Sequence, residues 1–194
     1  MLPLGSASTL VETPITDAQR IVEPYGEVCV MLRSWRLLTL VLAALALTMT
    51  SAHVLELPQK MQYDAQLYAA VNTTLYRYFA TIGGGYSLGA IVAASVLAFL
   101  VRTHRSAFRW TLTAAVLFML WFVSWLMLVA PVNTQVAAAL QSAPETVPAL
   151  WMQLRARWEY GHAVGFVIQL LGFCALVISV LVDTQRSVTG EEVA

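Results

Sequence analysis

Apolar residues run through this chain in four long blocks, near residues 37–57, 79–101, 108–130 and 160–182, separated by short polar or basic stretches. A hydrocarbon core of ~30 Å takes about 20 helical residues to cross. Backbone in lipid must satisfy its own hydrogen bonds, and these blocks are apolar on most faces, so they predict transmembrane helices and not a barrel. Short links between four such helices give an all-α fold, an integral membrane antiparallel four-helix bundle over residues 33–183.

The remaining stretches have different patterns. Residues 1–32 carry "VETPITDAQRIVEPYGE", polar and acidic with two prolines and no clear period, which predicts a disordered cytoplasmic tail. Residues 184–194 form a second short tail. "MLRSWRLLTLVLAALALTMTSA" from Met31 reads as a complete start, so the preceding thirty residues are candidates for an over-extended one. A cleaved signal peptide ending at Ala52 ranks below an uncleaved first span, because the chain continues directly into the polar residues that a helix end needs. In "ETVPALWMQLRARW", Val147, Leu150, Trp151, Leu154 and Trp158 recur at helical spacing, which predicts an amphipathic helix over 146–158 lying in the outer interface or leading into the fourth span, with Pro148 in its first turn.

Composition strengthens the membrane assignment. The 194 residues are 59% hydrophobic and 11% charged, with a mean hydropathy of +0.70, unlike a soluble domain of this size. Eleven basic residues balance eleven acidic ones, so no nucleic-acid surface is expected and the lipid bilayer is the first partner. Cys29 and Cys174 fall in a polar tail and an apolar span and are not expected to pair. Arg33, Arg36, Arg102, Arg105, Arg109 and Arg186 flank one side, against Lys60, Arg77, Arg155 and Arg157 on the other. That bias places both termini in the cytoplasm, in a plasma (inner) membrane, with Trp35 and Trp110 at the inner interface and Trp151 and Trp158 at the outer one.

Two short stretches carry candidate chemistry. "HVLE", His53 to Glu56, closes the first block, and "EYGH", Glu159 to His162, opens the fourth, the same pair in reverse. On a 1.5 Å rise, His53 lies about 24 Å above Leu37 and His162 roughly 30 Å above Val182, so the pairs meet at similar depth in antiparallel helices. Residues three apart share a helix face, and ionisable residues within a span usually face the bundle interior. Di-metal carboxylate bundles use Glu-x-x-His to present one oxygen and one nitrogen to the same ion. Hence His53, Glu56, Glu159 and His162 are the candidate catalytic set and the candidate ligands for iron, copper, manganese or zinc. The alternative is a His/Glu hydrogen-bond network that ties the first helix to the fourth.

Tyr76, Arg77 and Asn133 gather at the same end and, with Arg155, Arg157 and Trp158, form the candidate substrate-binding set. Gly85 and Gly89 stand at GxxxG spacing, a candidate contact for a partner helix. Trp121 and Trp125 share a face and read as packing or lipid-facing anchors, and His104 as a solvated residue in a basic loop. "NTT" at Asn72 is a glycosylation sequon that matters only in a secretory pathway.

"HVLELPQK", "APVNTQ" and "WMQLRARWEYGH" in this order resemble the four-helix membrane family that includes the fungal anthrone oxygenases and many bacterial members without an assigned function. The resemblance covers about residues 37–182 and centres on Pro131 and Asn133, then Trp151, Arg155, Arg157 and Trp158. It implies oxygen-inserting or quinone-forming activity on a small phenolic or fused-ring substrate. Where family members often carry an arginine after the histidine of the last helix, this chain has Ala163 and Val164.

The leading expectation is a membrane oxidoreductase with an outward-facing His/Glu site. A non-catalytic scaffold or subunit of a larger complex, and a haem protein with His53 and His162 as axial ligands, are the alternatives.

Overall fold

A computed structural model describes the backbone over residues 17–189 and side chains over residues 27–184. Six α-helices and one 3-10 turn make up the described chain: α1 Asp17–Lys60, α2 Ala65–Thr74, α3 Phe79–Leu100, α4 Arg105–Leu128, α5 Ala130–Ser142, the turn Pro144–Thr146, and α6 Val147–Thr189. Four apolar stretches, Glu27–Lys60, Phe79–Leu100, Arg105–Ser142 and Pro144–Thr184, are long and apolar enough to cross a membrane. The protein is a helical membrane protein, and the four long helices close into a ring in which α1 packs on α3, α3 on α4, α4 on α6 and α6 on α1. The shorter helices α2 and α5 cover one end, α2 against α6 and α5 against both α4 and α6.

Much of the bundle's surface and of its core is apolar, with a set of polar and charged side chains buried between the helices. The half away from α2 and α5 is a close seam of small residues, including Ala43, Ala90, Ala94, Ala107, Ala114 and Ala175, around Leu97, Phe118 and Leu176. Small side chains let helix backbones approach, the main source of association where lipid tails are as apolar as leucine. The tightest seam joins α4 to α6: a methyl on Gly165 would overlap the Trp121 indole, and one on Gly172 would come within 2.7 Å of Phe118. Leu37, Val92, Phe99, Val116, Val167 and Leu171 point outward and stay exposed, as a lipid-facing surface requires.

Buried polar pairs fix the register of these helices. Thr50 of α1 donates to Gln169 of α6 at 2.7 Å. The hydroxyls of Thr111 and Ser179 lie 2.6 Å apart between α4 and α6, and Ser179 also donates to the Ala107 carbonyl at 3.0 Å. At the end of the bundle where α1 enters and α6 leaves, Arg36 is ion-paired with Asp183, and His104 Nδ1 lies 3.4 Å from the same carboxyl group.

Several boundaries differ from expectation. The backbone is helical from Asp17, inside the stretch expected as a disordered tail; residues 1–16 and 190–194 lie outside the described residues. Of the two readings of the helix over 146–158, the structure has the one that leads into the fourth span: α6 runs unbroken from Val147. Trp151 and Trp158 are accordingly buried in the bundle and are not interfacial anchors. Cys29 and Cys174 are both free.

Candidate functional site

His53, Glu56 and Lys60 stand at i, i+3 and i+7 near the end of α1, and therefore on one face. His53 and Lys60 turn inward and are buried, whereas the Glu56 side chain stays 42% exposed at the rim. From the opposite direction α6 brings in Trp151, Trp158, Glu159 and His162, all buried. The two imidazoles touch, with ring centres 4.1 Å apart. Around His53 stand Tyr76 at 4.7 Å, Trp158 at 4.9 Å and Phe79 at 5.4 Å, which makes an aromatic box.

The histidines are held differently. His162 Nδ1 lies 2.9 Å from the Trp158 carbonyl, which can only accept, so this nitrogen carries the proton. In the neutral ring that leaves a lone pair on Nε2. His53 Nδ1 is buried without a hydrogen-bond partner.

Behind this box sits a buried charge cluster. Lys60 Nζ pairs with Glu159 Oε1 at 3.0 Å and lies 4.5 Å from the Tyr76 ring centre and 4.7 Å from that of Trp158. The Tyr68 hydroxyl donates to the same carboxylate oxygen at 2.8 Å. Burial, and secondly the Glu159 charge, hold the Tyr68 phenol well above its ordinary range, so it stays a donor. Cation, aromatic faces and phenol thus offset the burial of a carboxylate that would otherwise be very costly.

The spacing of prolines, asparagines and arginines also has a physical basis. Pro131 has no N–H to give the carbonyl of Met127, four residues back, and α4 breaks there at Val129. Arg157 of α6 donates to that carbonyl at 2.8 Å. One turn into α5, Asn133 Oδ1 accepts from Trp158 Nε1 at 2.9 Å. Arg155 plays the same part at the end of α1, donating to the Tyr63 carbonyl at 3.0 Å. Pro131 with Arg157, and Asn133 with Trp158, are therefore two halves of one joint between the α4–α5 break and α6.

The box opens into a cavity of about 360 Å³ reached from α1 through α6 and lined by His53, His162, Tyr76, Trp121, Trp125 and Trp158 among others. That volume lies at the small end of the range for small-molecule sites, ~300–1,000 Å³. Four of its lining residues, His53, Asn72, Tyr76 and Trp151, each hold a buried polar atom with no partner. An unmet buried group costs about 1–3 kcal/mol, and these four atoms are closed off within the packing around the cavity, so they are a local cost to the fold and not a surface offered to a ligand.

Of the expected residues, His53, His162, Tyr76, Arg77, Asn133 and Trp158 line this cavity, but Glu56, Glu159, Arg155 and Arg157 do not. Glu159 is engaged by Lys60 and Tyr68, and the two arginines by backbone carbonyls. Among the described residues, no group of three or more His, Cys, Asp or Glu is placed to hold a metal ion, so His53, Glu56, Glu159 and His162 do not form one ligand set. The contact between the two imidazoles leaves no slot for a porphyrin between them. Trp121 and Trp125 line the cavity and are not lipid-facing anchors, and Asn72 is buried with its amide donating to the Tyr68 carbonyl, so it is not an open sequon. Gly89 packs against Leu42 of the chain's own α1, whereas Gly85 faces open space, so the two do not share one contact.

Lys60, Tyr68 and Trp151 were not among the expected site residues. The placement of Lys60 seven residues after His53 was the available signal for it. Comparison with known proteins supplies no relative, since no family model, curated protein or solved structure matches the chain.

Proposed function

We propose that the protein is a membrane oxidoreductase that takes a small phenolic or fused-ring substrate into the aromatic cavity and uses the His53/His162 pair as its acid–base centre. The observation that carries this reading is the imidazole pair itself, two rings in contact on the wall of an aromatic cavity, one with its proton fixed on Nδ1 and the other with an unpartnered nitrogen. An oriented neutral imidazole is the side chain best matched to moving a proton near neutral pH. The resemblance of "APVNTQ" and "WMQLRARWEYGH" to the anthrone oxygenase family supports the substrate class.

In this reading His162 Nε2 takes a proton from the substrate's acidic ring CH2. The carbanion passes its electrons to dioxygen, a carbon–oxygen bond forms as a hydroperoxide, and loss of water leaves a carbonyl. One CH2 and one O2 thus become one C=O and one H2O. Tyr76 and Asn133 orient the substrate's oxygens, and Trp121 and Trp158 flank its rings. Following the charge bias, the termini lie in the cytoplasm and the cavity near the outer side of an inner (plasma) membrane.

The test is dioxygen uptake by detergent-purified protein with a hydroxylated anthrone, for the wild type and for His53→Gln and His162→Gln. Uptake that depends on the protein and falls ~100-fold or more in His162→Gln supports the reading, since positioned general bases contribute about 10²–10⁴-fold. Protein-dependent uptake unchanged in both variants, or none in the wild type, contradicts it. A non-catalytic membrane subunit is the second reading, favoured by the engagement of Glu159, Arg155 and Arg157 within the chain. It expects no uptake and a lower melting temperature for both variants.

A further inference from the structure

The cavity's exposed lining residues mark where it opens. Arg77 and Ala80 stand on one side, in and just after the turn between α2 and α3, and Ala137 and Leu140 stand on the other, on α5. These sides do not close on each other, because α3 packs on α1 and α4 whereas α5 packs on α4 and α6. The border of this gap is apolar: Leu75, Tyr78, Ile82 and Leu140 are all large side chains left exposed. Ala80 and α5 belong to stretches long and apolar enough to cross a membrane, Phe79–Leu100 and Arg105–Ser142, and the turn that carries Arg77 lies just before the first of these. A mouth flanked by exposed large apolar side chains is suited to contact with lipid.

Arg77 is the one charged residue of the lining. Among the described residues it has no ion pair or hydrogen bond, and its guanidinium only approaches the Tyr78 ring, at 5.5 Å. By contrast Arg36, Arg155 and Arg157 are each held by a carboxylate or a carbonyl. A free guanidinium in an apolar rim is a ready partner for an acidic oxygen. Deeper in, the lining is largely aromatic, with Trp121, Trp125 and Trp158. A volume of about 360 Å³ suits a flat ring system and not a two-chain lipid.

We infer that the cavity is loaded sideways from the bilayer between the α2–α3 turn and α5, and that its ligand is a lipid-soluble ring compound carrying one acidic oxygen, phenolate or carboxylate, which Arg77 reads. This rests on the aromatic cavity being the ligand site and specifies its substrate class and its route of entry.

The test uses the full-length protein in phosphatidylcholine nanodiscs, titrated with anthracene-9-carboxylate and, separately, with the neutral anthracene-9-methanol. Energy transfer from the cavity tryptophans to anthracene reports binding. The acid should bind about tenfold tighter than the alcohol, as one charge-assisted contact allows. Arg77→Gln should abolish that preference with the alcohol's affinity unchanged, and Arg77→Lys should keep part of it. The preference should also persist in discs containing anionic phosphatidylglycerol. Equal binding of the two compounds to the wild type, or a preference that survives Arg77→Gln, overturns the inference while leaving the cavity as a site. A preference lost in anionic discs overturns it too, because Arg77 would then belong to lipid headgroups. Binding of neither compound would overturn both the inference and the cavity reading on which it rests.

Discussion

Lys60 holds the centre of the buried charge cluster, and its removal tests how that cluster is balanced. Lys60→Met leaves the Glu159 carboxylate in a pocket closed to water, next to two aromatic faces and a phenol. Breaking a buried pair by deleting one partner typically costs about 3–5 kcal/mol, whereas replacing all its members with apolar groups of similar volume is often neutral. Lys60→Met should therefore lower the melting temperature in detergent strongly, and the triple variant Lys60→Met/Glu159→Leu/Tyr68→Phe should recover most of it. If the triple variant melts as low as the single one, the cluster contributes through something other than paired charge. At this scale the sequence was partly legible. His53 and His162 stood out because imidazoles near a span end are rare, and the antiparallel geometry put them at one depth. Their carboxylate neighbours were misassigned, because spacing along a helix does not reveal a competing cation. Lys60, read as a flanking charge, reaches back to take Glu159 and leaves the histidines to the cavity.

The break between α4 and α5 is a joint built from both strands of contact that meet it. Pro131 removes the donor for the Met127 carbonyl and Arg157 replaces it, while Asn133 accepts from Trp158. The Arg157 contact therefore matters only because the proline is there. Arg157→Ala should cost about 1 kcal/mol in the native background and distinctly less beside Pro131→Ala, whose restored N–H can serve the same carbonyl. Thermal unfolding of the four members of that double-mutant cycle measures the coupling, and strictly additive losses would disprove the joint. Among the elements, α1, α3, α4 and the later part of α6 followed from hydropathy, since about 20 apolar residues have few other uses. The pattern at the start of α6 left an interfacial helix and an extension of the fourth span equally open, because Arg155, Arg157 and Glu159 make that stretch polar on one side. Glu159 is paired with Lys60, and the two arginines donate to backbone carbonyls, all of them partners remote in sequence that periodicity cannot show. The helices α2 and α5 are short and rich in Ala, Thr and Gln, so neither carries a strong apolar period.

As a whole the molecule is a ring of four helices, one half sealed by alanines and the other propped open by aromatic side chains and covered by α2 and α5. The bundle and its membrane setting were readable from the chain because solvation in lipid constrains every residue of a span. The cavity was not, since a void depends on which side chains fail to meet across helices, and the shared face of Trp121 and Trp125 suited packing and lipid contact alike. Two adjacent glycines on α3 allow the central claim, that this cavity is a ligand site, to be tested with little disturbance. Gly84 lines the cavity and Gly85 is exposed outside it, and a methyl added at either meets nothing within 4 Å. The decisive measurement is tryptophan-to-anthracene energy transfer with anthracene-9-methanol for the wild type, Gly84→Leu and Gly85→Leu in nanodiscs, with the melting temperature of each. Binding to the wild type and Gly85→Leu, lost by tenfold or more in Gly84→Leu at an unchanged or higher melting temperature, is the predicted result. Equal binding to all three proteins, or to none, would contradict it.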